Sequence, residues 1–227
     1  MKRNGETGLN IETVIRYLTM AVVVVTALPV HELAHGLVAN RLGDHTAREQ
    51  GRLTLNPFAH LDLFGTLALL LFGFGWAKPV PVNPSHFKKP KRDMALTALA
   101  GPLSNILLAL ILMVVFKVYM FYGNMNSTAG LMFGQIIYTI LWTNLTLAVF
   151  NLLPVPPLDG AKILDAVLPL SFQMKMRKYE KYFYIALILL LYLGFLQIPL
   201  NFLGDMLFSG LNWATAPVDL LLQIIGG

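Results

Sequence analysis

Three residues in one apolar stretch carry side chains that could bind a metal and move a proton. His31, Glu32 and His35 form the pattern H-E-x-x-H in the segment TALPVHELAHGLVANRL. On a helix, positions i and i+4 lie on one face, so the two imidazoles could hold one zinc ion. Glu32 is rotated about 100° away and could act as general base on a water activated by the metal. The alternative is a chance group of polar residues, although ionisable side chains in an apolar span are costly.

A catalytic zinc site needs a third protein ligand and an open position for water. The chain has no cysteine, so that ligand must be His, Asp, Glu or a backbone oxygen. The best candidate is Asp159 in NLLPVPPLDG, because its prolines forbid a continued helix and the freed backbone needs polar partners. A second interpretation is that Asp159 only caps a helix beginning near Ala161.

The composition places these motifs in a membrane. Of 227 residues, 56% are hydrophobic and 13% are charged, which predicts an all-α multi-pass membrane protein with about four to six transmembrane helices. The final stretch to Gly227 is either an interfacial amphipathic helix or a last span. We expect one domain over 1–227, with a core over 17–165 and a C-terminal part over 182–227. The first run is expected to be a retained span, not a cleaved signal peptide. The apolar runs cover Tyr17–Ala39, Leu61–Phe74, Met94–Tyr122, Leu131–Leu153 and Tyr182–Leu203.

Charge predicts the orientation and the partners. The formal net charge is +5, and the basic residues lie beside the apolar runs, which favours anionic lipid headgroups over nucleic acid. The basic loops are expected in the cytoplasm, and the uncharged loop Gly123–Gly130 outside. His31 is eight residues before Ala39, or roughly 12 Å along a helix. The metal is therefore expected inside the bilayer, towards the cytoplasmic side.

The short apolar run Leu61–Phe74 has basic residues on both sides, so both of its ends are expected in the cytoplasm. It is too short to cross and return as two helices. We therefore predict a re-entrant β hairpin, whose extended edge could pair with an unwound substrate. The alternative is an amphipathic segment on the membrane surface.

Together, the motifs HELAH, AGPLSN at 100–105 and NLLPVPPLDG resemble the site-2 protease family of intramembrane zinc metalloproteases. GRLTLNPFAHLDLFGT and GWAKPVPVNP are similar to its compact prokaryotic type, which lacks PDZ and CBS domains. The resemblance covers about 22–165, and that family also has a re-entrant β element after its first span. It implies these roles: His31, His35 and Asp159 bind one catalytic Zn²⁺, Glu32 activates water, and Asn105 and Asn151 position substrate backbone. Without it, Asn105 is more typical of helix packing.

The resemblance implies a zinc metalloendopeptidase of the cell membrane. Its expected substrates are transmembrane proteins, cut within or near their spans in regulated intramembrane proteolysis, with the lipid bilayer as surroundings and no nucleic acid. A rival function is a zinc or proton transporter that uses the same His, Glu and Asp residues. A second rival is an inactive substrate-binding relative. Glu32 separates the protease from the transporter, because only hydrolysis needs it as a base.

Overall fold

The computed structural model describes residues 11–72 and 75–226, and this part of the chain is helical. Its only β pairing is one isolated antiparallel bridge between Leu61 and Ala77. Two 3₁₀ turns lie at Pro57–Ala59 and Pro84–His86. The α-helices are α1 Ile11–Arg41, α2 Thr46–Glu49, α3 Leu63–Phe72, α4 Pro90–Tyr122, α5 Thr128–Leu152, α6 Asp159–Asp165, α7 Leu170–Lys178, α8 Glu180–Tyr192, α9 Gln197–Ala214 and α10 Ala216–Gly226.

The long helices α4 and α5 form the centre of the protein. A short loop joins them, in which the Ser127 hydroxyl accepts a hydrogen bond from the Gly130 amide at 3.0 Å and caps α5. Their shared core contains Ala109, Met113, Leu141 and Leu145, all buried, and side chains of α9 pack against it. Helix α1 packs against α4 where Thr97 and Gly101 contact the ring of His35. Helix α4 thereby links the H-E-x-x-H helix to the rest of the bundle.

The part of the chain that the structure describes contains two or three candidate membrane spans. Among the described residues, α4 and α5 are each long and apolar enough to cross a bilayer, and α8 with α9 would make a third span if counted as one. The prediction of four to six spans is higher than this number. One reason is that the apolar run 182–203 is broken: α8 and α9 meet at 82°. Gly194 in the break adopts φ +77°, which ends α8. Helix α10 has only 11 residues, or roughly 16 Å.

The predicted re-entrant β hairpin over Leu61–Phe74 is wrong. Residues 63–72 form the helix α3, and 73–74 lie outside the described residues. The Asp62 carboxylate accepts a hydrogen bond from the Gly65 amide at 2.8 Å and starts the helix. A helix satisfies its backbone groups internally, which apolar surroundings demand, and the leucine-rich sequence favours it. The charge argument excluded two crossing helices but not one short helix, and the backbone of α3 is bonded within the helix and is not offered to a substrate.

A buried carboxylate fastens the segment after α3 to the end of α1. Asp44 is fully buried and accepts hydrogen bonds from Thr46, from the Asn83 amide at 2.6 Å and from the His86 ring at 2.9 Å. Burial opposes ionisation of this carboxyl, but these hydrogen bonds outweigh it and hold the pKa of Asp44 below its ordinary value. Arg52 adds a bond to the Lys78 carbonyl at 3.0 Å. Segment 78–86 is therefore fixed over α1.

The substitution Asp44→Asn should destabilise the fold, because an amide cannot accept all of these hydrogen bonds. We expect the melting midpoint of the detergent-solubilised protein, followed by circular dichroism, to fall by about 5–10 °C. A lowered pKa in the folded state means that the carboxylate contribution is complete above about pH 4 and lost as the pH falls further. The variant should lack that acid-dependent loss. Glu49→Gln, at an exposed residue of α2, is the matched control; an equal effect there would contradict this role of Asp44.

Candidate metal centre

Helix α1 presents two histidines on one face, one turn apart. His31 and His35 are 4% and 7% exposed. Their Nε2 atoms are 3.0 Å apart, and the rings are nearly perpendicular at 86°. The i, i+4 spacing that the sequence showed thus brings both imidazoles to one point.

Asp159 reaches the same point from a distant part of the chain. Its Oδ2 lies 3.1 Å from the Nε2 of His31 and 3.1 Å from the Nε2 of His35. Asp159 is the first residue of α6, whereas Leu158 takes the N-cap position and no side chain caps this end. The structure therefore does not support the interpretation that Asp159 only caps this helix. Gly160 allows α6 to lie against the end of α5, since a Cβ there would be 2.2 Å from the Leu152 carbonyl oxygen.

The three facing atoms fit a metal ion. The Nδ1–H of His35 donates to the Thr97 carbonyl at 2.7 Å, so in the neutral ring Nε2 presents a lone pair. That lone pair faces the carboxylate of Asp159 and the Nε2 of His31, and a cation among them removes the repulsion. Separations of 3.0–3.1 Å are close to the ~3.3 Å edge of a tetrahedron with zinc–ligand bonds of about 2.0 Å. Two nitrogens and one carboxylate oxygen are a usual donor set for catalytic zinc.

Outer contacts orient these donors. The Thr97 carbonyl fixes the ring of His35, as carbonyl groups do behind many metal-binding histidines. Lys162 Nζ donates to the second carboxylate oxygen of Asp159, Oδ1, at 2.9 Å. This leaves Oδ2 as the one oxygen that faces the histidines. Gly101 of α4 lies against both rings, since a Cβ there would be 2.4 Å from the Nε2 of His35 and 2.6 Å from the Cε1 of His31.

Glu32 lines the cavity that contains these donors. The cavity has a volume of about 500 Å³, and α1, α4, α5, α6 and the segment after α3 contribute to its wall. The Oε2 of Glu32 accepts a hydrogen bond from the Val80 amide at 2.7 Å. Segment 78–86, fixed by Asp44, thereby sets the orientation of the predicted base.

The two predicted substrate-positioning asparagines differ in location. Asn151 lines the cavity, and its Nδ2 donates to the Leu147 carbonyl at 2.9 Å. Asn105 lies one turn after Gly101, is fully buried and is not among the residues that line the cavity. Neither polar atom of its side chain has a hydrogen-bond partner within the described part of the chain. An unpaired buried amide of this kind needs a partner such as water or a bound ligand.

Comparison with known proteins agrees with this donor set. Residues 19–194 match the model of peptidase family M50. The chain belongs to this family. The resemblance to site-2 proteases is thereby confirmed, together with zinc as the cofactor and a membrane zinc metalloprotease as the class of protein.

Relatives of this M50 peptidase carry the name "putative zinc metalloprotease". YwhC of Bacillus subtilis is 43% identical over 173 residues, which cover 75% of this chain and 78% of the relative. Rip2 of Mycolicibacterium smegmatis is 28% identical, over 73% of this chain and 63% of the relative. MJ0611 of Methanocaldococcus jannaschii is 35% identical, over 59% and 62%. No solved structure matches the chain.

Sequence reasoning missed three contributors to the site of this M50 peptidase. Lys162 had a local signal, because it follows Asp159 by three residues at the start of a helix. Gly101 lies in the AGPLSN motif, but its contact with both histidine rings had no signal in the sequence. The Val80 amide had no signal, because its contact with Glu32 joins residues 48 positions apart.

The substitution Gly101→Ala should displace both imidazoles and lower the zinc content of the purified protein to well below one ion per chain. The reason is the 2.4 Å approach of the added Cβ to His35. Metal analysis by atomic absorption gives the measurement. Gly210→Ala in α9 is the control, because no atom lies within 4 Å of its added Cβ. Full zinc content in the Gly101 variant would show that these histidines do not hold the ion.

The substitution Lys162→Met should weaken zinc binding about tenfold, because Asp159 Oδ1 loses its donor and the carboxylate loses its fixed orientation. Competition with a chelator of known zinc affinity measures the change. Lys162→Arg keeps a cationic donor and should bind zinc nearly as the parent does. If the Met variant binds zinc as tightly as the parent, packing alone orients Asp159.

Proposed function

We propose that this M50 peptidase is an intramembrane protease that hydrolyses peptide bonds within or next to transmembrane segments of membrane proteins. The observation that carries the proposal is the convergence of His31, His35 and Asp159 in a buried cavity beside the long apolar helix α4. In this proposal these three residues are the zinc ligands. The buried ligands would act on a peptide bond that has entered the membrane-embedded part of the protein.

Glu32 is the proposed general base. When bound, zinc supplies Lewis-acid chemistry: it acidifies a water and polarises the scissile carbonyl. Glu32 takes the proton from that water and passes it to the leaving amine. The hydrogen bond from the Val80 amide to its Oε2 orients this carboxylate in the cavity.

A substrate helix must unwind before attack, because its peptide groups are bonded to each other. The released groups then need new partners inside the cavity. We assign this role to Asn151, which lines the cavity, and to the unpaired amide of Asn105 deeper in α4. Asn105 is buried beyond the cavity wall, so it would contact substrate only after that wall opens, or would act through a water.

The site is proposed to lie towards the cytoplasmic side of the membrane. Thr97, whose carbonyl orients His35, is seven residues after Pro90 and 25 before Tyr122 in α4. The metal donors are therefore near the start of this helix. That start is basic, with Lys88, Lys89, Lys91 and Arg92, whereas the loop after Tyr122 has no charge. The positive-inside rule favours the basic end in the cytoplasm.

The substitution Glu32→Gln should retain zinc and lower cleavage of a transmembrane peptide by about 10²–10⁴-fold, because the amide cannot take a proton. The measurement is product formation in detergent together with zinc analysis. Glu180→Gln, at an exposed residue of α8, is the control. A transporter that uses the same residues would instead keep zinc flux into vesicles after Glu32→Gln. Undiminished cleavage by the variant would refute Glu32 as the base.

A further inference from the structure

A second cavity adjoins the proposed catalytic cavity. Its volume is about 170 Å³, and it lies where the start of α4, helix α6 and helix α7 meet. Lys162 and Met94 line both cavities. These two side chains form the part of the wall that the two cavities share.

Three of the side chains that line the second cavity are cationic, among mainly apolar neighbours. Lys91, Lys162 and Arg177 line it, with Asp165 as its one carboxylate. Lys162 is already bonded to Asp159. Lys91 and Arg177 form no salt bridge with any residue that the structure describes. Like charges in a concave site attract an anion, and here two of them have no neutralising partner.

A buried amide holds this wall together. Gln173 is 5% exposed, and its Nε2 donates to the carbonyls of Asp165 at 2.7 Å and Leu168 at 2.8 Å. These bonds attach α7 to the end of α6. Arg177 follows Gln173 by one helical turn, so it lies on the same face of α7. The cation of α7 is thus positioned relative to the helix that carries Asp159.

We propose that the second cavity is a specificity subsite that binds an acidic side chain of the substrate, close to the scissile bond. This inference rests on the proposed protease function. The wall of Lys162 and Met94 that this cavity shares with the catalytic cavity favours the substrate chain as the source of the anion. Lys91 and Arg177 supply the charge that an Asp or Glu side chain would pair with. The enzyme would accordingly prefer spans flanked by an acidic residue at one fixed position.

The test uses transmembrane peptides in neutral detergent. One Asp is moved through the residues flanking the cleavage site, and each peptide is paired with one that has Asn at the same position. Cleavage by the parent enzyme gives kcat/KM, and anisotropy of labelled peptides on the Glu32→Gln variant gives binding without turnover. At one position we expect Asp to be favoured over Asn about fivefold in both measurements, which corresponds to one well-placed ion pair.

The double substitution Lys91→Gln and Arg177→Gln should abolish the preference for Asp over Asn while the zinc content is retained. Lys88→Gln with Lys178→Gln is the matched control, since these neighbouring lysines do not line the cavity. The preference should also weaken as salt is added.

Equal binding of Asp and Asn peptides at every position would overturn the subsite. So would a preference that survives in the double variant. A requirement for anionic lipid that depends on Lys91 and Arg177, without any preference for Asp, would assign the cavity to a lipid headgroup and refute the inference. A binding preference for Asp without any cleavage would keep the subsite and refute the proposed protease function.

Discussion

Three side chains that can donate lone pairs to a metal meet at one buried point. The helices and contacts described above hold them there. The facing atoms of His31, His35 and Asp159 lie 3.0–3.1 Å apart, so their lone pairs need a proton or a metal ion between them. The membrane surroundings increase the cost of leaving such groups unpaired. Zinc, the cofactor of the M50 family, therefore fits the donor set.

Close approach between helices makes this arrangement sterically feasible. Gly101 lets α4 lie against both imidazoles, and Gly160 lets α6 lie against the end of α5. The Thr97 carbonyl and Lys162 then fix the orientation of the ring and of the carboxylate. Two of the three donors thus have an outer hydrogen-bond partner, His35 on α4 and Asp159 within α6 itself, and such partners keep the geometry of a preorganised metal site.

The segment after α3 connects the metal centre to the loops outside the bundle. Asp44 and Arg52 fix this segment over α1, and its Val80 amide bonds to Glu32. On the opposite side, Lys162 lies between the proposed catalytic cavity and the cationic second cavity. Glu32 is thus in contact with the segment after α3, and Asp159 is in contact with the lysine between the two cavities.

The sequence alone determined what depends on local geometry and composition. The helical period places His31 and His35 on one face, and the prolines before Asp159 end α5 and free an acidic residue. The membrane class followed from hydrophobicity, and the combination of motifs predicted the family. Tertiary structure decided whether Asp159 meets the histidines 124 and 128 residues away, where Asn105 and Asn151 lie, and which amide contacts Glu32. It also replaced the expected hairpin with α3 and joined Lys91, Lys162 and Arg177 from three helices in one wall. Such contacts between distant residues leave no periodic signal in the sequence, because they depend on how whole helices pack.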